Sequence, residues 1–153
     1  MNLRPGDQAP PFELKAQDGK TVKLEDFKGK KLLLYFYPKA DTPGCTDQSC
    51  AVRDAKGQLL ALGVAVLGVS PDPERKQAAF DAKHSLGFPL LADTGHAAAE
   101  AYGVWGEKSM YGKTYMGIVR SAFLVGEDGK IVAAWYKVSP ADTVPNVLKT
   151  LGA

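Results

Sequence analysis

Apolar positions along the chain fall into runs of two kinds. Leu32-Leu33-Leu34-Tyr35-Phe36-Tyr37 and Val64–Val69 are hydrophobic on both alternating faces, the pattern of central strands covered by helices. Between them Val52, Ala55, Leu59 and Leu62 recur at helical spacing, which predicts a helix from about Cys45 to Leu62 with Gly63 as its stop signal. Pro73–Leu86 reads as a second helix, with Pro73 near its first turn and Gly87 after its end. A short strand, Phe88–Ala92, and a short helix, Ala97–Tyr102, follow. Before these elements, Gly6–Leu14 is an extended entry segment because its prolines forbid a helix. Asp18-Gly19, between Phe12/Leu14 and Val22/Leu24, then predicts an N-terminal β-hairpin. Further on, Gly103–Gly117 reads as a loop rich in glycine and aromatics. Val119–Val125 and Ile131–Val138 flank the hairpin signal Glu127-Asp128-Gly129, and Asp142–Leu151 closes as a helix that tolerates Pro145 in its first turn. Strands alternating with helices, then a hairpin and a terminal helix, predict an α/β protein: a three-layer α/β/α sandwich on a central mixed sheet.

No internal repeat, low-complexity tract or linker divides the 153 residues, so residues 1–153 are expected to form a single domain. At 45% hydrophobic and 24% charged residues the chain is globular in composition, and long enough for a core without disulfides or structural metals. A net charge of +2 gives no electrostatic footprint for nucleic acid. The longest apolar run, Leu59–Val69, is broken by glycines and too short to span a membrane. Met1-Asn2-Leu3-Arg4-Pro5 lacks the apolar core and cleavage site of a secretory signal, so a cytoplasmic protein is expected. The two cysteines, Cys45 and Cys50, are too few for a secreted disulfide scaffold. In a reducing compartment such a pair reads as reactive.

The segment that carries them is Pro38-Lys39-Ala40-Asp41-Thr42-Pro43-Gly44-Cys45-Thr46-Asp47-Gln48-Ser49-Cys50. It follows the C-terminal end of a central strand, where open α/β sheets place ligands. Cys45 falls at the start of a helix, where free backbone N–H groups and the positive end of the dipole favour negative charge. The dipole is insufficient alone. Bringing a cysteine from about 8.5 to about 6 requires roughly 3.4 kcal/mol, and a helix N-terminus supplies about 0.3–1, up to roughly 2 when partly buried. Asp41 and Asp47 would oppose the shift if they came close. A cation from elsewhere must contribute, and Arg120, opening the Val119–Val125 strand, is the candidate. Cys45, Val52 and Leu59 are seven apart, which puts Cys45 on the core-facing stripe. Cys50 is about 140° round the helix and about 7.5 Å along it, so the two Cα atoms should lie about 8.7 Å apart. A disulfide needs them within roughly 7 Å. If the two sulfurs do bond, the first turns of the helix must unwind.

Other readings compete with a reactive pair. A buried free cysteine is a common core residue. Cys45, Cys50, His84 and His96 as a zinc set have spacings that fit a finger poorly. A thioredoxin-type dithiol wants two intervening residues, and this pair has four. Gly106–Thr114 misses a phosphate loop by one residue between its glycines and follows no clear strand. Lys28-Gly29-Lys30-Lys31 reads as a solvated turn and His84 as a surface helix residue. Trp105, Tyr111 and Tyr115 are expected to pack within their loop rather than line a partner surface.

Three sets of residues resemble the peroxiredoxins of the bacterioferritin-comigratory-protein or Q type. Pro38, Thr42 and Cys45 match that family's Pro-x3-Thr-x2-Cys motif. Thr42-Pro43-Gly44-Cys45-Thr46 with Cys50 and Arg53-Asp54 looks like the Q-type signature. Gly103-Val104-Trp105-Gly106, then Met110-Tyr111-Gly112 through Gly117-Ile118-Val119-Arg120-Ser121, resembles a later block. The resemblance implies a thioredoxin-like fold, usually monomeric, with no metal or prosthetic group. It implies that Cys45 is the peroxidatic cysteine, whose thiolate attacks a peroxide and becomes a sulfenic acid. Thr42 and Arg120 would hydrogen-bond the peroxide and its developing charge, and Pro38 would shield the site from water. Cys50 would be the resolving cysteine, forming a disulfide with Cys45 that thioredoxin or a similar dithiol protein reduces. Against a thiol–disulfide oxidoreductase acting on proteins stand the wider cysteine spacing and the Thr42/Arg120 pair, whereas a non-enzymatic redox sensor is compatible with every residue quoted.

Overall fold

The computed structural model describes residues 2–153; Met1, first residue of the segment read for a secretory signal, lies outside them. Among the described residues nine strands and four α-helices follow one another as β1 (Glu13–Ala16), β2 (Thr21–Lys23), a 3-10 turn (Leu24–Phe27), β3 (Lys31–Phe36), α1 (Pro43–Ala61), β4 (Val64–Ser70), α2 (Glu74–His84), β5 (Leu90–Ala92), α3 (Ala97–Ala101), β6 (Trp105–Met110), β7 (Lys113–Ile118), β8 (Ser121–Val125), β9 (Ile131–Trp135) and α4 (Thr143–Thr150). Seven strands form one mixed sheet in the order β2-β1-β5-β4-β3-β8-β9. β3, β4 and β5 are parallel, joined by the crossovers α1 and α2, and antiparallel pairs flank them. The N-terminal hairpin β1–β2 caps one edge, with Leu14 opposite Val22 as the turn at Asp18-Gly19 predicts.

β3 sits between β4 and β8 and is buried on both faces, as its continuous apolar run requires. The two faces serve different cores. Leu33, Tyr35 and Tyr37 point into a cluster with Cys45, Val52 and Leu59 of α1, Phe80 of α2, and Val144 and Val147 of α4. Leu32, Leu34 and Phe36 point into a second cluster with Ala98 and Ala99 of α3, Tyr102, Val104 and Ile118. The three-layer sandwich is therefore real but uneven: three helices cover one face, and a five-residue helix with the β6–β7 base covers the other.

The Gly103–Gly117 loop reading is overturned. β6 and β7 form a separate antiparallel hairpin in which Trp105 pairs with Ile118 and Gly106 with Gly117. Its turn uses Tyr111 and Gly112, both at positive φ (52° and 77°), the geometry a two-residue hairpin demands. Glycines inside both strands and a tyrosine in the turn concealed the pattern. The hairpin also removes the phosphate-loop reading of Gly106–Thr114. Of the three aromatics there, Trp105 stacks on His96 at 3.7 Å between ring centroids, whereas Tyr111 is 97% exposed and Tyr115 is exposed too, so these two do not pack as expected.

Smaller shifts have local causes. Pro43 occupies the first helical position of α1, so the helix begins two residues before Cys45. β5 starts at Leu90 rather than Phe88 because Pro89 has no N–H to give the sheet. Pro145 sits in the first turn of α4, where no helical N–H bond is lost.

Candidate active site

The site is built where β3 ends and α1 begins. Pro38, partly buried, terminates the strand, and Asp41 takes a left-handed conformation (φ 62°) that swings the chain towards the helix. Thr42 is the residue before the first turn, but its hydroxyl does not cap the helix; it donates to the Lys39 carbonyl at 2.7 Å. Pro43 brings no N–H, and the first α-helical bond runs from Thr46 N to Thr42 O at 2.8 Å. The amides of Gly44 and Cys45 are left without a helical acceptor at the positive end of the 19-residue helix. Cys45 therefore lies in the first turn, 1% exposed, on the same buried stripe as Val52 and Leu59.

The cation that the dipole arithmetic called for is in place. Arg120 stands just ahead of β8, rather than inside a strand from Val119, with its carbonyl held by the amide of Val138. Its Nη2 donates towards Cys45 Sγ at 3.4 Å, and its Nη1 donates to Gln48 Oε1 at 2.7 Å. Gln48, fully buried one turn beyond Cys45, in turn donates to Thr143 Oγ1 at 2.9 Å, which fixes the guanidinium against both α1 and α4. Gly44 makes room for it: a Cβ there would come 3.1 Å from Nη2. Gln48 and Thr143 were not singled out from sequence, and Gly44 entered only as part of the Thr42–Thr46 signature. The spacing of Gln48, three residues after Cys45 on the same helical face, is the signal that could have found it.

Neither of the two nearby acids shares a hydrogen bond with Cys45 or Arg120. Asp41 pairs with Lys83 Nζ at 2.9 Å and His84 Nε2 at 3.1 Å on the last turn of α2, and the hydrogen bonds from these two side chains hold its carboxyl below the usual aspartate range. Asp47 is exposed. His84 is consequently no simple surface residue: its side chain is only 20% exposed, lies edge-on to Phe80, and braces the loop before the site. On the other side Lys108 of β6 donates to the Ile118 carbonyl at 2.9 Å. Burial, then the neighbouring Arg120, push its ammonium below the usual lysine value.

Cys50, partly buried and packed against the first cluster, lies in the same unbroken helix, and both thiols are free. The zinc reading fails on placement, because among the described residues no group of three or more His, Cys, Asp or Glu side chains could hold a metal ion, and His96 stacks on Trp105 in the other layer. Among the described residues no helix is long and apolar enough to cross a membrane. A cavity of about 390 Å³ lined by Ala9, Leu24, Phe27, Leu32 and Val125 opens at the opposite end of β3 and includes none of these site residues.

Comparison with known proteins gives a consistent result. The model of the AhpC/TSA family matches residues 5–134. Peroxiredoxin Bcp of Bacillus subtilis is 47% identical over 151 residues, covering 99% of this chain and 96% of its own. The structure of Xylella fastidiosa PrxQ superposes with a TM-score of 0.93 at 32% identity, over 99% of this chain and 97% of that one. A structure of the Xanthomonas campestris bacterioferritin comigratory protein, described in connection with alkyl peroxide reduction, gives 0.87 at 37% identity over 92% and 89%. The chain thus belongs to the AhpC/TSA family, among the peroxiredoxins of the Bcp or Q type.

Proposed function

We propose that Cys45 is the peroxidatic and Cys50 the resolving cysteine of this thiol peroxidase. The reaction class is the family's: a cysteine reduces a peroxide. The observation that carries the assignment to Cys45 is the Arg120 guanidinium 3.4 Å from its sulfur at a helix N-terminus. The sulfur attacks the terminal peroxide oxygen, the O–O bond breaks, and the departing oxygen leaves as an alkoxide or hydroxide that takes up a proton. Arg120, immobilised by Gln48, donates to the charge spreading over the two oxygens, so little reorganisation is needed during attack. The Thr42 hydroxyl has its proton committed to Lys39 and offers a lone pair to the O–H of the peroxide, which orients the attacked oxygen. Pro38 limits water at the mouth of the site. The Cys50 thiol then displaces water from the Cys45 sulfenic acid to form the disulfide, and a dithiol protein such as thioredoxin supplies two electrons and two protons to restore both thiols.

Hydrogen peroxide and alkyl hydroperoxides are the expected substrates, the latter in line with the Xanthomonas relative. A cycle that must return to the dithiol suits a reducing compartment, the cytoplasm, and every residue named lies on one chain, so a monomer suffices. The role assignment is tested by mass spectrometry after one equivalent of hydrogen peroxide, with the expected loss of two hydrogens and a Cys45–Cys50 crosslinked peptide. Cys45→Ser should abolish turnover, while Cys50→Ser should consume about one equivalent and then stop cycling with thioredoxin. Turnover by the Cys45→Ser protein would overturn the assignment.

A further inference from the structure

The helix that carries both cysteines is fastened to the sheet by a buried polar contact that the reaction above leaves unused. Tyr35, next to last in β3, and Ser49 of α1 are both fully buried, and their hydroxyls share a hydrogen bond of 2.8 Å. The tyrosine fits because Gly68, its partner across the parallel β3–β4 pair, has no side chain: a Cβ there would meet the ring and hydroxyl of Tyr35 at 3.0 Å. Ser49 lies four residues after Cys45 and one before Cys50. Unwinding that brings Cys50 to Cys45 must therefore carry Ser49 away from Tyr35. The tyrosine stays a neutral hydroxyl there, since burial pushes it well up and both nearby sulfurs disfavour its anion.

We propose that the Tyr35–Ser49 hydrogen bond is a clasp that sets how often the first turns of α1 open, and with it the fate of the Cys45 sulfenic acid. This rests on the assignment of Cys45 and Cys50 made above. Two balanced reactions compete. In the open helix the Cys50 thiol attacks the sulfenic sulfur, forming the disulfide and releasing water. In the closed helix a second peroxide oxidises the sulfenic acid to sulfinic acid and leaves as water or alcohol. A tight clasp favours the second outcome and a loose one the first. Tyr35 and Ser49 are thus positioning residues that act through the helix rather than on the peroxide.

The contact is asymmetric, which provides a signature. Ser49→Ala strands the tyrosine hydroxyl in an apolar interior, a defect relieved when the helix opens and water enters. Tyr35→Phe leaves Ser49 with the Cys45 carbonyl one turn back as an alternative acceptor. Removing both strands nothing. Opening should rise about 5- to 100-fold in Ser49→Ala, less in Tyr35→Phe, and fall back towards wild type in the double variant.

Two measurements on the full chain test this. Hydrogen exchange of the reduced protein, without peroxide, should show that rise in amides 46–50, the first that bond within the helix, while the core of β3 and β4 is unaffected. Under excess hydrogen peroxide with thioredoxin cycling, the sulfinic fraction of Cys45 should fall in the same order. Exchange and sulfinic fraction in Ser49→Ala within twofold of wild type would overturn the proposal. Should that variant not fold, the test passes to Tyr35→Phe, which strands no buried group; exchange there unchanged from wild type overturns the proposal equally. Faster exchange with no Cys45–Cys50 crosslink under peroxide would instead overturn the assignment of the two cysteines.

Discussion

Replacing Arg120 with methionine keeps a long side chain and removes the charge beside Cys45. At the observed 3.4 Å, a full negative charge on sulfur would interact with the guanidinium by about 5 kcal/mol at an effective dielectric of about 20. Both groups lose hydration to meet, so the net loss should follow charge-assisted hydrogen bonds, about 1.5–3 kcal/mol. That corresponds to peroxide attack slowed roughly 10- to 150-fold. A second effect is separable. Gln48, fully buried, loses the donor at 2.7 Å, and an orphaned acceptor costs about 1–3 kcal/mol, or a Tm lower by about 2–12 °C at this chain length. The assay is the second-order rate of the first turnover of reduced enzyme, followed by stopped flow, alongside a thermal melt. Adding Gln48→Leu should restore much of the Tm and none of the rate. Arg120→Lys should fall between, because an ammonium cannot reach the sulfur and Gln48 with a planar fork. An Arg120→Met protein that reacts within threefold of wild type would refute the electrostatic role.

Gly68→Ala forces a methyl to within 3.0 Å of the Tyr35 ring and Leu90 in a filled core, and should cost about 1–3 kcal/mol in urea denaturation. Asp41→Asn removes the tie to Lys83 and His84. Because the folded carboxyl titrates below its unfolded value, wild type should be the more stable above about pH 4, and the difference should vanish as the pH falls through the lower folded value; denaturation at pH 7 and pH 3 checks the sign. Tyr111→Asn replaces an exposed aromatic at φ 52° with a residue suited to that backbone, so it should raise stability by up to about 1 kcal/mol and leave peroxide consumption unchanged.

Much of this architecture is legible in the chain because burial on two faces leaves a mark. The runs at Leu32–Tyr37 and Val64–Val69, and the stripe Cys45, Val52, Leu59, all lie where periodicity placed them. The β6–β7 hairpin was not legible, since its strands carry glycines where alternation would show and most of β7 faces solvent. Within the site, Cys45 and Arg120 were accessible to reasoning because chemistry demanded a cation for the sulfur. Thr143, Ser49 and Asp72 were hidden for a common reason: each is a buried polar side chain whose partner lies far along the chain. Asp72 accepts from the amide of Ala40 at 2.7 Å and so shapes the loop before Thr42, a relation that no local pattern announces.

The split of β3 between two separate cores has a consequence for endurance. The strand that feeds the reactive loop is bonded on both sides, to β4 and β8, and its Leu32, Leu34 and Phe36 are anchored in a layer that holds neither thiol. A rearrangement of the first turns of α1 leaves that foundation standing. On the proposed cycle each round of oxidation and reduction would begin from the same scaffold, and the displaced turns would find their berth again without the molecule having to refold.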